Sequence, residues 1–357
     1  MALNSIITTA SIRRFISKDK LMKPSHLIEA LVTAVPQNVP LHIWGACGVG
    51  KSQLVRQVAG RLNRQFIDVR AVQLDPVDFR GLPRIKDDRT EWITPNFLPT
   101  KGEGILFLDE LTSAPPMTQA ACYQLVLDRA LGDYRLPDGW SVLAAGNPAS
   151  ERGVSYSMPR PLLNRFLHLT LEPDLAEWCI WAGKAGIRPE IIAFLRFRTE
   201  LLHDSTVRSG VNAWPTPRSW EMVSRAMDGI DARKASITAD VYEMLLMHLI
   251  QGAVGDGVAA EFIGFLNLFH SLPSIDEILL NPTGAPLPSD PSAQIAIATA
   301  LGRRITDSSI AKAKLYLERL PDELQVLSIR DALLRDRAIA TTPEFTQFAV
   351  THSDLLA

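Results

Sequence analysis

The stretch Gly45-Ala46-Cys47-Gly48-Val49-Gly50-Lys51-Ser52 decides the fold. It fits the spacing G-x-x-x-x-G-K-[ST] at each fixed position, and that spacing describes a physical device. A loop with few side chains lets successive backbone N–H groups point at a polyphosphate, and the helix that follows adds the positive end of its dipole. Lys51 then reaches the outer phosphates and the Ser52 hydroxyl reaches a magnesium ion, with Gln53 opening the helix. The flanks agree. Leu41-His42-Ile43-Trp44 reads as a short buried strand, and Gln53 to Leu62 reads as a helix with Leu54, Val58 and Leu62 on one face.

Farther along, Gly104-Ile105-Leu106-Phe107-Leu108 is an apolar run that ends in Asp109-Glu110. Strands buried on both faces of a parallel sheet look like this, and ligands gather at their C-terminal ends. Asp109 is expected to hold the metal and Glu110 to orient the water that attacks the γ-phosphate. Together with the loop, this pair indicates nucleotide hydrolysis. ATP is expected rather than GTP, because no N-K-x-D guanine-reading pattern occurs.

Size and composition set the bounds. A chain of 357 residues has room for two or three domains, and 46% hydrophobic with 21% charged residues suits a globular protein. The formal net charge of −2 supplies no global basic field for nucleic acid or an anionic membrane. The three cysteines, Cys47, Cys122 and Cys179, lack metal-ligand spacing and point to a reducing, cytoplasmic setting. Cys47, inside the loop, is either a small filler or a thiol open to oxidation. Met1 to Lys20 lacks the charged-then-apolar order of a signal peptide, and the apolar region Met244 to Leu272 is too interrupted by polar residues for a membrane span.

Along the chain, an N-terminal arm (1–22) precedes an α/β region (23–172) with a parallel sheet covered by helices on both faces. Within it, residues 75–99 carry prolines and a turn glycine about the polar tip Lys86-Asp87-Asp88-Arg89, which reads as an inserted hairpin. That hairpin is either a partner contact or a plain surface insertion. A second hairpin is expected over 129–137. Trp140 to Ala145 reads as another buried strand, leaving Asn147 at its end near Glu110, placed to hold the attacking water. From Leu175 onward the pattern is helical, divided into 173–270 and 271–357. Pro217 opens a helix and puts Arg218 in its first turn, where a cation opposes the dipole unless it faces an anion. Arg303, Arg304 and Lys312 read as a charged rim or a solvated face.

The chain resembles the AAA+ ATPases, and among them the MoxR-like group with a helix-2 insert. The likeness runs from about Pro40 to Arg218 and rests on an ordered set: the phosphate loop, L-D-E-x4-P-x3-Q-A from Leu108 to Ala120, Ala145-Gly146-Asn147-Pro148, and Leu163-Asn164-Arg165-Phe166. The resemblance implies a P-loop NTPase sheet, an all-α lid, and ATP with Mg²⁺ as cofactors. It also implies Asn147 as first sensor, Arg165 as the arginine finger with Arg160 as a competitor, and Arg218 as second sensor. It further implies a homo-oligomer, usually a six-membered ring, that remodels a protein substrate beside a separate partner bearing a von Willebrand factor A domain. A nucleic-acid motor or loader is the alternative, weakened by the net charge and by the lack of a DNA-binding module. A non-hydrolysing switch is disfavoured because Glu110, Asn147 and Arg165 are all present.

Overall fold

The computed structural model describes residues 21–148, 156–204 and 212–356. The expected N-terminal arm therefore lies outside the described residues up to position 20. The chain divides into two compact units, Met1–Pro173 and Asp174–Ala357.

The first unit is built on a parallel sheet of six strands: β1 (Leu21–Met22), β2 (Leu41–Trp44), β3 (Gln65–Arg70), β6 (Gly104–Asp109), β9 (Trp140–Gly146) and β10 (Leu167–Leu171). Their spatial order is β1-β10-β2-β9-β6-β3. Alternation along β6 shows why both faces are covered. Ile105 and Phe107 join Leu27, Leu31, Ile43, Val55 and Val58 in one core, whereas Leu106 and Leu108 join Cys122, Leu125, Val142 and Phe166 in another. All four of these β6 side chains are fully buried. At about 1.5–3 kcal/mol per large aliphatic or aromatic side chain, this single strand is a major source of the unit's stability. Helices α1 (Pro24–Ala34) and α2 (Lys51–Arg61) supply the first face, and α4 (Pro116–Asp128) supplies much of the second. On α2 the buried apolar side chains are Val55, Val58 and Ala59; Leu54 and Leu62, expected on that face, are only half-buried.

The region 75–99 is a one-turn helix, α3 (Pro76–Arg80), followed by an antiparallel pair, β4 (Leu82–Lys86) and β5 (Arg89–Ile93). The sequence excludes a helix running through the region, yet one turn fits because Pro76 needs no N–H partner at a helix start. Asp87 and Asp88 both have positive φ, as a tight two-residue hairpin turn requires. Gly81 (φ +83°) is obligatory at the base, since a Cβ there would sit 1.9 Å from Ile93 O. A smaller hairpin, β7 (Ala130–Leu131) with β8 (Tyr134–Arg135), follows α4, with Gly132 and Asp133 at its turn. The last helix of the unit is the short α5 (Arg160–Leu163).

Among its described residues the second unit has helices and no strand, and its two expected parts share one body. Around Phe194, Trp220, Phe262 and Phe265, helices α6 (Leu175–Ala185), α7 (Pro189–Phe197), α8 (Pro217–Asp231), α9 (Ala239–Val254) and α10 (Asp256–His270) enclose one core. A second core lies among α11 (Ile275–Leu280), α12 (Pro291–Arg304), α13 (Ile310–Leu317), α14 (Asp322–Arg335) and α15 (Pro343–Thr351). Helix α12 belongs to both, giving Ala296 to the first and Ile297, Ala298 and Leu301 to the second. Arg196 on α7 adds a two-pronged pair with Asp331 on α14, at 2.7 and 2.8 Å, and donates to Thr299 on α12 at 2.9 Å. A division at residue 270 therefore cuts through a continuous body.

The charged rim is not what forms. Arg303 is half-buried and donates to Ile187 O at 2.7 Å, while Arg304 pairs with Asp276 at 2.7 Å. The stretch Asp256–Leu280 has the length and mean hydropathy (1.3) of a membrane span. It is nevertheless broken between His270 and Ile275, and it turns Ala259, Phe262, Phe265 and Leu266 into the core.

Candidate nucleotide site

Strand β2 ends at Trp44 in the interior of the sheet, flanked by β9 and β10, so the loop Gly45–Gly50 emerges beside the C-terminal ends of β6 and β9. Two loop glycines do what other residues would resist: Gly48 and Gly50 have φ of +78° and +95°. Gly50 is the N-cap of α2 and no side chain caps that terminus. The first-turn N–H groups of α2 therefore face the loop, the arrangement that binds anions.

Lys51 is 8% exposed. Its ammonium donates to Gly45 O at 2.6 Å, Ala46 O at 2.9 Å and Asn147 Oδ1 at 2.8 Å. One cation thus ties the phosphate loop to the residue at the end of β9. Ser52 Oγ donates to Asp109 Oδ2 at 2.6 Å, and the Glu110 N–H donates to Asp109 Oδ1 at 2.9 Å. Both carboxylate oxygens of Asp109 are therefore oriented. Glu110 has φ +57°, in the left-handed region, so the chain turns sharply on leaving β6 and the side chain is exposed.

Two supporting residues escape a reading of the sequence. Asp68 on β3 lies close enough to the site for its carboxyl to be held above the usual range, first by burial and then by the charge of Asp109. Thr112, fully buried in the turn after Glu110, fits against Gly146: a Cβ on that glycine would lie 2.5 Å from the threonine side chain. Thr112 O also accepts from the Tyr156 N–H at 2.7 Å. Only pairing register could have flagged Asp68, and nothing in the local sequence flags Thr112.

The remaining expected residues are placed as follows. Cys47 is exposed in the loop. Arg160 opens α5, is exposed, and has no side-chain partner among the described residues. Arg165 is half-buried, with its guanidinium 5.8 Å from the Tyr123 ring centre and 3.4 Å from the Tyr123 hydroxyl. Its Nε is buried without a partner among the described residues. Arg218 belongs to the second unit, exposed in the first turn of α8, whose N-cap Thr216 and Ser219 bond reciprocally.

Oxygen donors from a serine and an aspartate, set beside a glycine loop, fit a hard divalent cation bound with phosphate oxygens, so the residues suit Mg²⁺. With the loop lysine, they suit a nucleoside triphosphate. Comparison with known families agrees: residues 41–168 match the ATPase family associated with various cellular activities (AAA). This segment is therefore similar to AAA+ ATPase domains. No curated protein matches the chain. Among solved structures, the chain is similar to NtrX from Brucella abortus in complex with ATP, at 15% identity and TM-score 0.39, covering 98% of this chain and 73% of that one. It is also similar to a Thermotoga maritima RuvB mutant, at 16% identity and TM-score 0.39, covering 83% and 85%. Likenesses this distant say nothing of substrate or assembly.

Proposed function

We propose that this AAA+ protein is a MoxR-like, Mg²⁺-dependent ATPase that assembles into a ring, usually of six, and uses hydrolysis to remodel a partner protein in the cytoplasm. The observation that carries the ATPase reading is the meeting of Lys51, Ser52, Asp109 and Asn147 at one loop. Lys51 and the α2 N-terminus bind the outer phosphates, and Ser52 with Asp109 hold the metal. The cation, when bound, neutralises charge that develops on the phosphates. Glu110, exposed beside Asp109, orients the attacking water and draws its proton, while Asn147 fixes the far side of that water. Exposed Arg160, or Arg165 once released from Tyr123, completes the site of a neighbouring subunit. Arg218 acts from the helical unit as the γ-phosphate sensor.

The hairpin β4–β5 supports a role on a protein partner. Leu82, Ile85 and Ile93 are 72, 86 and 49% exposed on a two-stranded projection. Apolar surface of this kind is costly unless it is used. A separate protein with a von Willebrand factor A domain is the proposed partner, on the resemblance alone. The test is phosphate release by the purified chain with Mg²⁺-ATP, wild type against Glu110→Gln, together with sedimentation in a slowly hydrolysed ATP analogue. Undiminished turnover in the variant sinks the catalytic reading, and a monomer at saturating analogue sinks the ring.

A further inference from the structure

The end of β2 is joined to the arginine-bearing segment by a chain of side-chain contacts that the hydrolytic chemistry does not itself require. Trp44, the residue before Gly45, donates its indole N–H to His168 Nδ1 at 2.9 Å. An indole only donates, so Nδ1 must accept and the imidazole proton lies on Nε2. That Nε2 lies 2.8 Å from Leu163 O, and therefore donates to it. Leu163 is the last residue of α5; its carbonyl also accepts from the Phe166 N–H at 3.2 Å, so the histidine adds a second, side-chain bond at the end of that helix. Arg160 begins the same helix and Arg165 follows it by two residues.

The contact is backed by rings. His42 lies 4.2 Å from Trp44, 5.6 Å from Phe166 and 5.8 Å from His168, centre to centre. His42 and Phe166 are buried, Trp44 is half-buried and His168 is exposed, so the four rings form a box packed on its inner side, with the bonding histidine at the surface. Backbone pairing adds rigidity: β10 runs beside β2, with His168 opposite His42. On the other side of Trp44, Lys51 grips Gly45 O. A continuous path therefore runs from the phosphate-binding lysine through Gly45, Trp44 and His168 to the carbonyl that ends the arginine helix.

We infer that His168 is a positioning residue that couples the nucleotide loop of one subunit to the arginine that the same subunit presents to its neighbour. Occupancy of one site would thereby set the competence of the next. This rests on the shared-site reading above, in which an arginine acts across a subunit boundary. Phe166 and His42 keep the box stiff, and the two hydrogen bonds of His168 carry the register.

Mixed assemblies test it. Subunits bearing Glu110→Gln cannot hydrolyse, so in a mixture with wild type they contribute only their arginines to active neighbours. Adding His168→Ala to these carrier subunits is expected to lower phosphate release by the wild-type subunits about fivefold relative to Glu110→Gln carriers alone, a coupling of ordinary size. Binding of a fluorescent ATP analogue to the carriers should stay within about twofold, since the loop itself is intact. Carriers with His168→Gln, whose amide offers both an acceptor and a donor, should recover most of the loss, and thermal melting checks that each carrier is folded. Equal release with the alanine and histidine carriers overturns the inference. A third carrier, with Arg160→Ala and Arg165→Ala, separates the two levels. If it cuts release while His168→Ala does not, the shared site stands and the coupling falls. If it changes nothing, both fall.

Discussion

Ser52 Oγ lies 2.6 Å from Asp109 Oδ2, which locks the first turn of α2 to the end of β6. The two residues are far apart in sequence, and α2 follows β2, which β9 separates from β6 in the sheet. Their contact places one hydroxyl and one carboxylate where a single hard cation can use both. Ser52→Ala removes one donor to that cation and leaves Lys51 in place. The expected outcome is a raised Mg²⁺ requirement and a kcat lowered by about tenfold or more, since support of a bound metal commonly costs 10–100-fold when lost. A magnesium titration of phosphate release reads it.

Glu110 separates chemistry from binding. Glu110→Gln keeps shape and exposure but gives up the proton acceptor, so kcat is expected to fall by about 10²–10⁴ while analogue affinity holds. Lys51→Ala should instead abolish binding, because its ammonium is the cation that ties Gly45, Ala46 and Asn147 together. Equilibrium binding beside steady-state rates distinguishes the two patterns.

The arginines differ in what they must leave behind. Arg160 is exposed with no side-chain partner among the described residues, so it can meet a neighbour at no internal cost. Arg165 is committed to Tyr123. With Arg160 as the finger, Arg160→Ala costs ~10³ in kcat, the scale of such a residue, and Arg165→Ala costs less. Equal losses, or a larger loss for Arg165→Ala, assign the role to Arg165 instead.

Much of this site was legible in the sequence because the chemistry is local. The phosphate loop and Asp109-Glu110 each occupy a few consecutive residues, and apolar runs such as Ile105–Leu108 carry the imprint of burial on two faces. What escaped depends on pairing between distant strands. Asp68 acquires meaning only because β3 lies beside β6. His168 meets Trp44 only because β10 lies beside β2. The single body formed by residues 174–357 was likewise hidden, since the two-pronged contact of Arg196 with Asp331 leaves no local trace in either helix.

Gly104 is a glycine for steric reasons alone. A Cβ there would lie 2.4–2.7 Å from three atoms of the Trp140 ring, which is itself fully buried. Gly104→Ala is expected to destabilise the first unit by about 1–3 kcal/mol, the usual penalty of overpacking. Denaturant unfolding of the purified variant measures it. A variant as stable as wild type would mean the ring has room to move.

His42 makes an acid-stability prediction with a definite sign. Burial, then the charge environment of His168 and Lys51, lowers its pKa from 6.5 to about 3. Its two ring nitrogens have no hydrogen-bond partner among the described residues, so protonation in place would bury an unpaired charge. The unfolded chain, by contrast, takes up that proton near pH 6.5. Between these values the unfolded state binds more protons, so stability falls as pH falls, by at most about 1.4 kcal/mol per pH unit from this residue. Above pH 6.5 the residue contributes no slope. His42→Leu removes the titrating group while keeping an apolar side chain in the box, and it is expected to flatten the loss of stability between about pH 6 and 4. Urea unfolding at a series of pH values, wild type against variant, measures the two slopes. Identical slopes would show that His42 protonates as readily in the folded protein as in the open chain, and that the aromatic box is more accessible to water than its packing implies.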